Sequence, residues 1–216
     1  KMKTELLALV LLMVGFGGSP CNKEKETCTL ITTGTQTFMD KNLVVVTYRN
    51  GDAIPQVTDQ TEWASLTTGA WCHYNNDPAN DTIYGKLYNW YAVNDPRGLA
   101  PQGWHIPTSA EWQCFSISLG GAGVAGGKMK TTGTSRWKSP NTGATNESRF
   151  AGLPGGYRCG KNSCGGFGGL GNDGYWWSTA EKGSDLALHR DLSSAGAYLA
   201  SNSAAKSSGF SVRCLR

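Results

Sequence analysis

Glycine occupies 29 of the 216 positions and tryptophan 8, and the two are interleaved. Glycine is dense over residues 120–127 and 165–174, with Trp104, Trp112, Trp137, Trp176 and Trp177 distributed among these stretches. Each glycine inside a helix costs about 1 kcal/mol relative to alanine, so such a chain makes a poor helical bundle. Glycine also permits positive φ and close backbone approach, and flat indole rings are surfaces that can be approached. The composition therefore predicts a loop-rich domain stiffened by aromatics rather than a helical protein. Only 17% of residues are charged, which argues against disorder. The net charge of +4 is spread thinly, with no run of Lys or Arg, so nucleic acid is not an expected partner.

Residues 29–51 (TLITTGTQTFMDKNLVVVTYRNG) are β-branched, partly alternating and closed by Asn50-Gly51, which predicts two or three strands. In DTIYGKLYNWYAVND, Tyr84, Leu87, Tyr88 and Tyr91 recur at helical spacing and predict a first helix. Thr108, followed three residues later by Glu111, forms a capping box for a second helix from about Ser109 towards Leu119, stopped by Gly120-Gly121. Beyond it no helical periodicity stands out, and YWWSTA and FSVRCL read as short strands. The expected layout is residues 1–20 as an apolar helix, 21–28 as a cysteine-flanked linker and 29–216 as one domain.

The apolar segment has Lys1 and Lys3 ahead of it and Gly17, Gly18 and Ser19 behind it, which matches a secretory signal in size and flanks. The reading preferred here is that it is retained. Residues 6–16 would form a helix of ~17 Å, short of the roughly 20 residues that cross a bilayer. A retained apolar helix must then be buried against copies of itself, with Leu6, Leu7, Leu9, Val10, Leu12, Met13 and Phe16 as contacts. Membrane contact is expected only before assembly. Glu5, at the mouth of the run, would need a positive partner such as a neighbouring α-amino group.

Seven cysteines suit an oxidising compartment, and the odd number leaves at least one unpaired. Cys159 and Cys164 are expected to close a short loop, and Cys21 with Cys28 to clamp the linker; zinc is disfavoured because His73, His105 and His189 are scattered. Cys21 follows Pro20, where a lipoprotein signal expects a small residue. Asn75, Asn76, Asp77, Asn80 and Asp81, or Asn172 and Asp173, offer oxygens for calcium, although turn formation is the preferred reading. No metal or cofactor is expected. Asn80-Asp81-Thr82 and Asn146-Glu147-Ser148 are sequons, making Asn80 and Asn146 glycan acceptors.

The ordered series TQTFMDKNL, YGKLYNWYAV, APQGWHIPTSAEW, GGKMKTTGTSRW, SPNTGATNESRFAGLPGGYR, YWWSTA and GFSVRCLR resembles the Fibrobacter succinogenes major paralogous domain over residues 29–216. That resemblance implies a fold of the C-type-lectin-like and formylglycine-generating-enzyme-like group: a compact α+β domain with two helices, short antiparallel strands and long Gly/Trp-rich loops, on an exported protein. It implies no activity. The paired catalytic cysteines of the enzyme group have no counterpart here, and His105 reads as structural, so an enzyme is not expected. Glu5-Leu6-Leu7 and the apolar run resemble a mature type IV pilin start, with Lys1 in place of the usual apolar aromatic and with Gly15, Gly17, Gly18 and Pro20 shortening the helix. Together these imply an extracellular or cell-surface filament subunit that polymerises with copies of itself and bears or meets glycans. The alternative is a monomeric or lipid-anchored carbohydrate-binding protein whose first residues are a signal.

Overall fold

The computed structural model describes residues 37–161 and 165–216. The expected apolar helix, the 21–28 linker, Glu5, Cys21, Cys28 and Cys164 lie outside the described residues. Within them the chain is a mixed α+β domain of several short helices around a curled five-stranded sheet.

The helices are α1 (Gln60–Ser65), α2 (Asp81–Tyr84), α3 (Trp90–Val93), α4 (Ser109–Ser118) and α5 (Ala122–Met129). The strands are β1 (Trp71–Cys72), β2 (Leu87–Tyr88), β3 (Gly155–Arg158), β4 (Phe167–Leu170), β5 (Asp173–Lys182), β6 (Leu186–Ser193) and β7 (Ala200–Ala205). The main sheet has the order β4-β3-β5-β6-β7, and β1 and β2 form a separate two-stranded sheet. β5, β6 and β7 form an antiparallel meander in which Tyr175 faces Asp191 and Trp177 faces His189. β3 joins β5 in parallel through Gly156 and Gly174.

Adjacent strand residues point to opposite faces, and the Trp176-Trp177 pair uses this to bury both faces of the sheet. Trp176 packs with Trp112, Trp137, Phe150 and Leu192. Trp177 packs with Tyr88, Trp90, Phe210 and Val212. Both indoles are fully buried. The N–H of Trp176 donates to Asn42 Oδ1 at 2.9 Å and that of Trp177 to the Tyr88 carbonyl at 2.8 Å.

α4 starts as the capping box requires: Thr108 Oγ1 accepts from the Glu111 N–H, and Glu111 Oε2 accepts from the Thr108 N–H at 2.8 Å. The first expected helix is corrected. α2 ends at Gly85 (φ 74°), where an added Cβ would lie 2.7 Å from the Asn42 side chain. The chain then pairs as β2, and Asn89 caps a new turn, α3, by accepting from the Ala92 N–H. α5 is a helix that the glycine-dense stretch concealed. A Cβ at Gly126 would lie 2.1 Å from the Tyr198 carbonyl oxygen, and one at Gly127 would lie 2.3 Å from that of Gly143. Glycine serves close packing there, and tertiary contact overrides its low propensity. The strands expected within residues 37–51 reduce to isolated bridges. Their N–H groups at Thr37, Met39 and Leu43 instead meet the carbonyls of Arg216, Cys214 and Val212. FSVRCL likewise forms bridges, not a ladder.

Long loops carry carbonyls that need donors, and buried cations supply them. Lys130 Nζ donates to the Thr142, Ser193 and Gly196 carbonyls at 3.0, 2.8 and 2.8 Å. Arg158 donates to the carbonyls of Val57, Thr58 and Asp59 and stacks on Trp63, 4.4 Å from the ring centroid. Arg213 donates to Asn42 Oδ1 and to the Met39 and Phe150 carbonyls, and lies 4.4 Å from the Phe150 ring centroid. All three side chains are essentially sealed from solvent. Burial pushes the Lys130 ammonium down to about 8 and the Arg213 guanidinium to about 9.

Lys130→Met retains much of the side-chain volume but leaves the Thr142 and Gly196 carbonyls without this donor, each costing about 1–3 kcal/mol if left unpaired, while the Ser193 carbonyl keeps the Gly196 N–H. The expected loss is about 2 kcal/mol or more. It is measured by chemical denaturation at neutral pH, and a variant as stable as the parent overturns the role assigned to Lys130.

Candidate functional site

A concavity of about 1290 Å³ lies where three separate segments meet. α1 forms one wall. Asp59 Oδ1 caps it by accepting from the Glu62 N–H at 2.8 Å, and fully buried Trp63 anchors it beneath Arg158. Thr61, Ala64 and Ser65 of α1 line the groove. The β5–β6 turn, with Gly183 at φ 78°, contributes Lys182, Ser184 and Asp185. The end of β7 and the residues after it contribute Ser203, Lys206 and Ser207. The Ser207 hydroxyl accepts the Lys161 N–H at 2.8 Å, drawing the 160–161 loop to the same rim. Lys206 lies over the Trp90 ring, 4.8 Å from its centroid, with Nζ 3.3 Å from Glu181 Oε1. Tyr91 of α3, expected on the core face of a helix, is partly exposed and lines this groove; burial and then the nearby Asp185 charge raise its phenol.

A second cleft, about 490 Å³, runs along residues 38–45 beside Trp104 and is mainly apolar. Val44 there is 52% exposed.

The residues singled out in the sequence do not converge on either concavity. His105 is half exposed, and its Nε2 lies 2.8 Å from Glu111 Oε1, so it extends the capping box of α4. Asp77 accepts from the Ala79 N–H, and Asn80 Nδ2 donates to the Tyr74 carbonyl at 3.0 Å. Asn75 and Asn76 adopt positive φ, as turn residues do. Asp81 binds His73 Nδ1 through one oxygen at 2.7 Å and the Lys86 ammonium through the other, with Lys86 over the Trp71 ring. Asn146 is partly buried at φ 53°, and its Oδ1 accepts from the Ala151 N–H. Among the described residues no group of three or more His, Cys, Asp or Glu side chains is arranged for a metal ion.

Cys72 and Cys214 are buried free thiols, pushed up to about 11 and about 12, in both cases chiefly by burial. Cys114 and Cys159 are buried and carry no free thiol. The Cys159 expectation involves Cys164, which lies outside the described residues. His189 is buried and held neutral, its imidazole pushed down to about 4 by burial.

Residues 31–216 match the Fibrobacter succinogenes major domain. The chain belongs to that family. No curated protein and no solved structure matches it. In this family domain the groove, Tyr91 apart, is built from residues that single-sequence reasoning passed over. Its Thr, Ser, Lys, Ala64 and Asp185 positions are ordinary in sequence, and only the fold brings them together.

The His105–Glu111 contact gives a pH-dependent expectation. Burial opposes ionisation of Glu111, but hydrogen bonds from Thr108 and His105 outweigh it and hold the carboxyl below its ordinary range. A depressed carboxyl contributes stability above its unfolded pKa and loses it as pH falls through the folded value. Glu111→Gln should therefore cost about 1 kcal/mol at neutral pH, and the difference from the parent should vanish in acid. Denaturation curves across that range check both limbs, and a constant difference refutes the charge-based account.

Proposed function

We propose that the chain is an exported, non-catalytic structural protein: a subunit of an extracellular filament, with its lectin-like domain displayed outside and residues 1–20 packed in the polymer core. The observation that carries this reading is Glu5 followed by an apolar run too short to cross a bilayer, attached to a family domain that closes on itself. The Thr37 and Arg216 backbones exchange hydrogen bonds at 2.8 and 3.1 Å, so the domain is secured where the N-terminal segment joins it. Contact between different surfaces of identical subunits propagates as an open helix. A second reading, a monomeric or lipid-anchored surface protein that binds carbohydrate, draws on the broad groove beside α1. In it the apolar segment is an export signal.

Mass spectrometry of the native N-terminus separates the two, since a processed chain lacking residues 1–20 cannot use Glu5 in a polymer. On a chain confirmed to retain the segment, Glu5→Leu removes one member of a proposed buried pair, a loss that typically costs about 3–5 kcal/mol. Filament yield by negative-stain microscopy, normalised to exported subunit, should fall severely while the domain still folds. Normal yield rejects the role given to this carboxylate.

The same extracellular reading pairs Cys159 with Cys164 across Gly160, Lys161, Asn162 and Ser163. Non-reducing peptide mapping of the exported protein should recover the two cysteines in one cross-linked peptide. Recovery of Cys159 joined elsewhere, or of both as thiols, rejects the pairing.

A further inference from the structure

We infer that Lys86 and Asp81 are a modification site, at which the folded chain joins its own side chains by an amide bond between Lys86 Nζ and Asp81 Cγ. Three pairs among the described residues bring a lysine to a carboxylate. In two of them the acid is open to solvent, with Glu147 62% and Glu181 53% exposed. Lys86 and Asp81 are only 8% and 15% exposed. The backbone sets up their meeting. Asp81 opens α2, Lys86 leads into β2, and Gly85 at φ 74° turns the chain between them. The Lys86 N–H is fixed by the Leu43 carbonyl at 3.1 Å, and its Nζ lies 4.1 Å from the centroid of the Trp71 ring. Asp81 Oδ2 meets that Nζ, while His73 Nδ1 lies 2.7 Å from Asp81 Oδ1. An ionised carboxylate can only accept, so the His73 nitrogen is the donor.

These three side chains supply what a condensation requires. An amine attacks a carboxyl when both are neutral, and a site secluded from water lacks the hydration that keeps the two as ions. One ammonium proton passes to Oδ2 across the existing contact. Nζ then adds to Cγ, and negative charge builds on Oδ1, where the His73 N–H already points. A second Nζ proton goes to Oδ2, which departs as water, and the Cγ–Oδ1 double bond is restored. One C–N bond is made and one C–O bond broken, with no oxidant or co-reactant. Holding amine and carboxyl in contact gives the effective concentration that free side chains lack.

The test is mass spectrometry of the full chain after reduction, alkylation and digestion with trypsin. Residues 50–85 contain no Lys or Arg, so an unlinked chain yields the peptides 50–86 and 87–97. An amide at Nζ removes the charge that trypsin recognises. The expected product is therefore a single peptide, 50–97, lighter than its sequence by one water, with fragmentation placing the loss between residues 81 and 86. Lys86→Arg keeps the positive charge but has no amine to form this bond, and should restore both the full mass and cleavage after residue 86. Recovery of peptide 50–86 at full mass from the folded parent overturns the inference. A lost water accompanied by cleavage after Lys86 also overturns it, since Asp81 has then closed on its own backbone, and so does a deficit that survives Lys86→Arg.

Discussion

Backbone carbonyls in the interior set the terms of this fold. A domain with few regular elements and long loops exposes many acceptors that no ladder or helix satisfies, and a buried acceptor left unpaired is expensive. Lys130, Arg158 and Arg213 each collect two or three such carbonyls while lying near aromatic rings. None of these three forms an ion pair with a carboxylate among the described residues. Their partners are dipoles supplied by loops distant in sequence: Arg158 reaches residues 57–60 and Arg213 reaches Met39, Asn42 and Phe150. Loop geometry is thus fixed from the inside by point donors. The loop surface can be irregular and still rigid, because its backbone is held by side chains beneath it.

The tryptophans complete the same arrangement. Indole N–H groups of Trp71, Trp90, Trp137 and Trp177 all donate to backbone carbonyls. A single residue type therefore fills volume and closes hydrogen bonds, which explains how a chain with so many glycines keeps a dense core. Trp63 shows the limit of the scheme: its Nε1 is buried without a hydrogen-bond partner among the described residues, while its ring supports Arg158.

How far the sequence could be read follows from the range over which each signal acts. The α4 start was legible because a capping box is a local device, complete within Thr108–Glu111. The strand around YWWSTA was legible from its aromatic and β-branched content. The stretch at residues 81–94 misled, because the spacing of Tyr84, Leu87, Tyr88 and Tyr91 obeys a helical period while Gly85 and Asn89 break the backbone into helix, strand and helix. α5 was hidden because Gly126 and Gly127 answer contacts with residues 197–198 and 143, far along the chain. The groove was beyond reach for the same reason. Thr61, Lys182 and Ser203 carry no mark of belonging together until the meander and α1 are assembled. The turn reading of Asn75, Asn76, Asp77 and Asn80, by contrast, needed only neighbours.

The two buried free thiols bear on how such a domain is made. With their ionisation displaced to about 11 and about 12, Cys72 and Cys214 hold almost no thiolate at neutral pH, and thiolate is the species that attacks a disulfide. In the finished domain they are bystanders to exchange. In the unfolded chain both return to the ordinary thiol range and compete for every oxidised partner. In an oxidising compartment, yield then becomes a race in which the clusters around Trp63 and Trp177 must close over Cys72 and Cys214 before either is captured by the wrong sulfur.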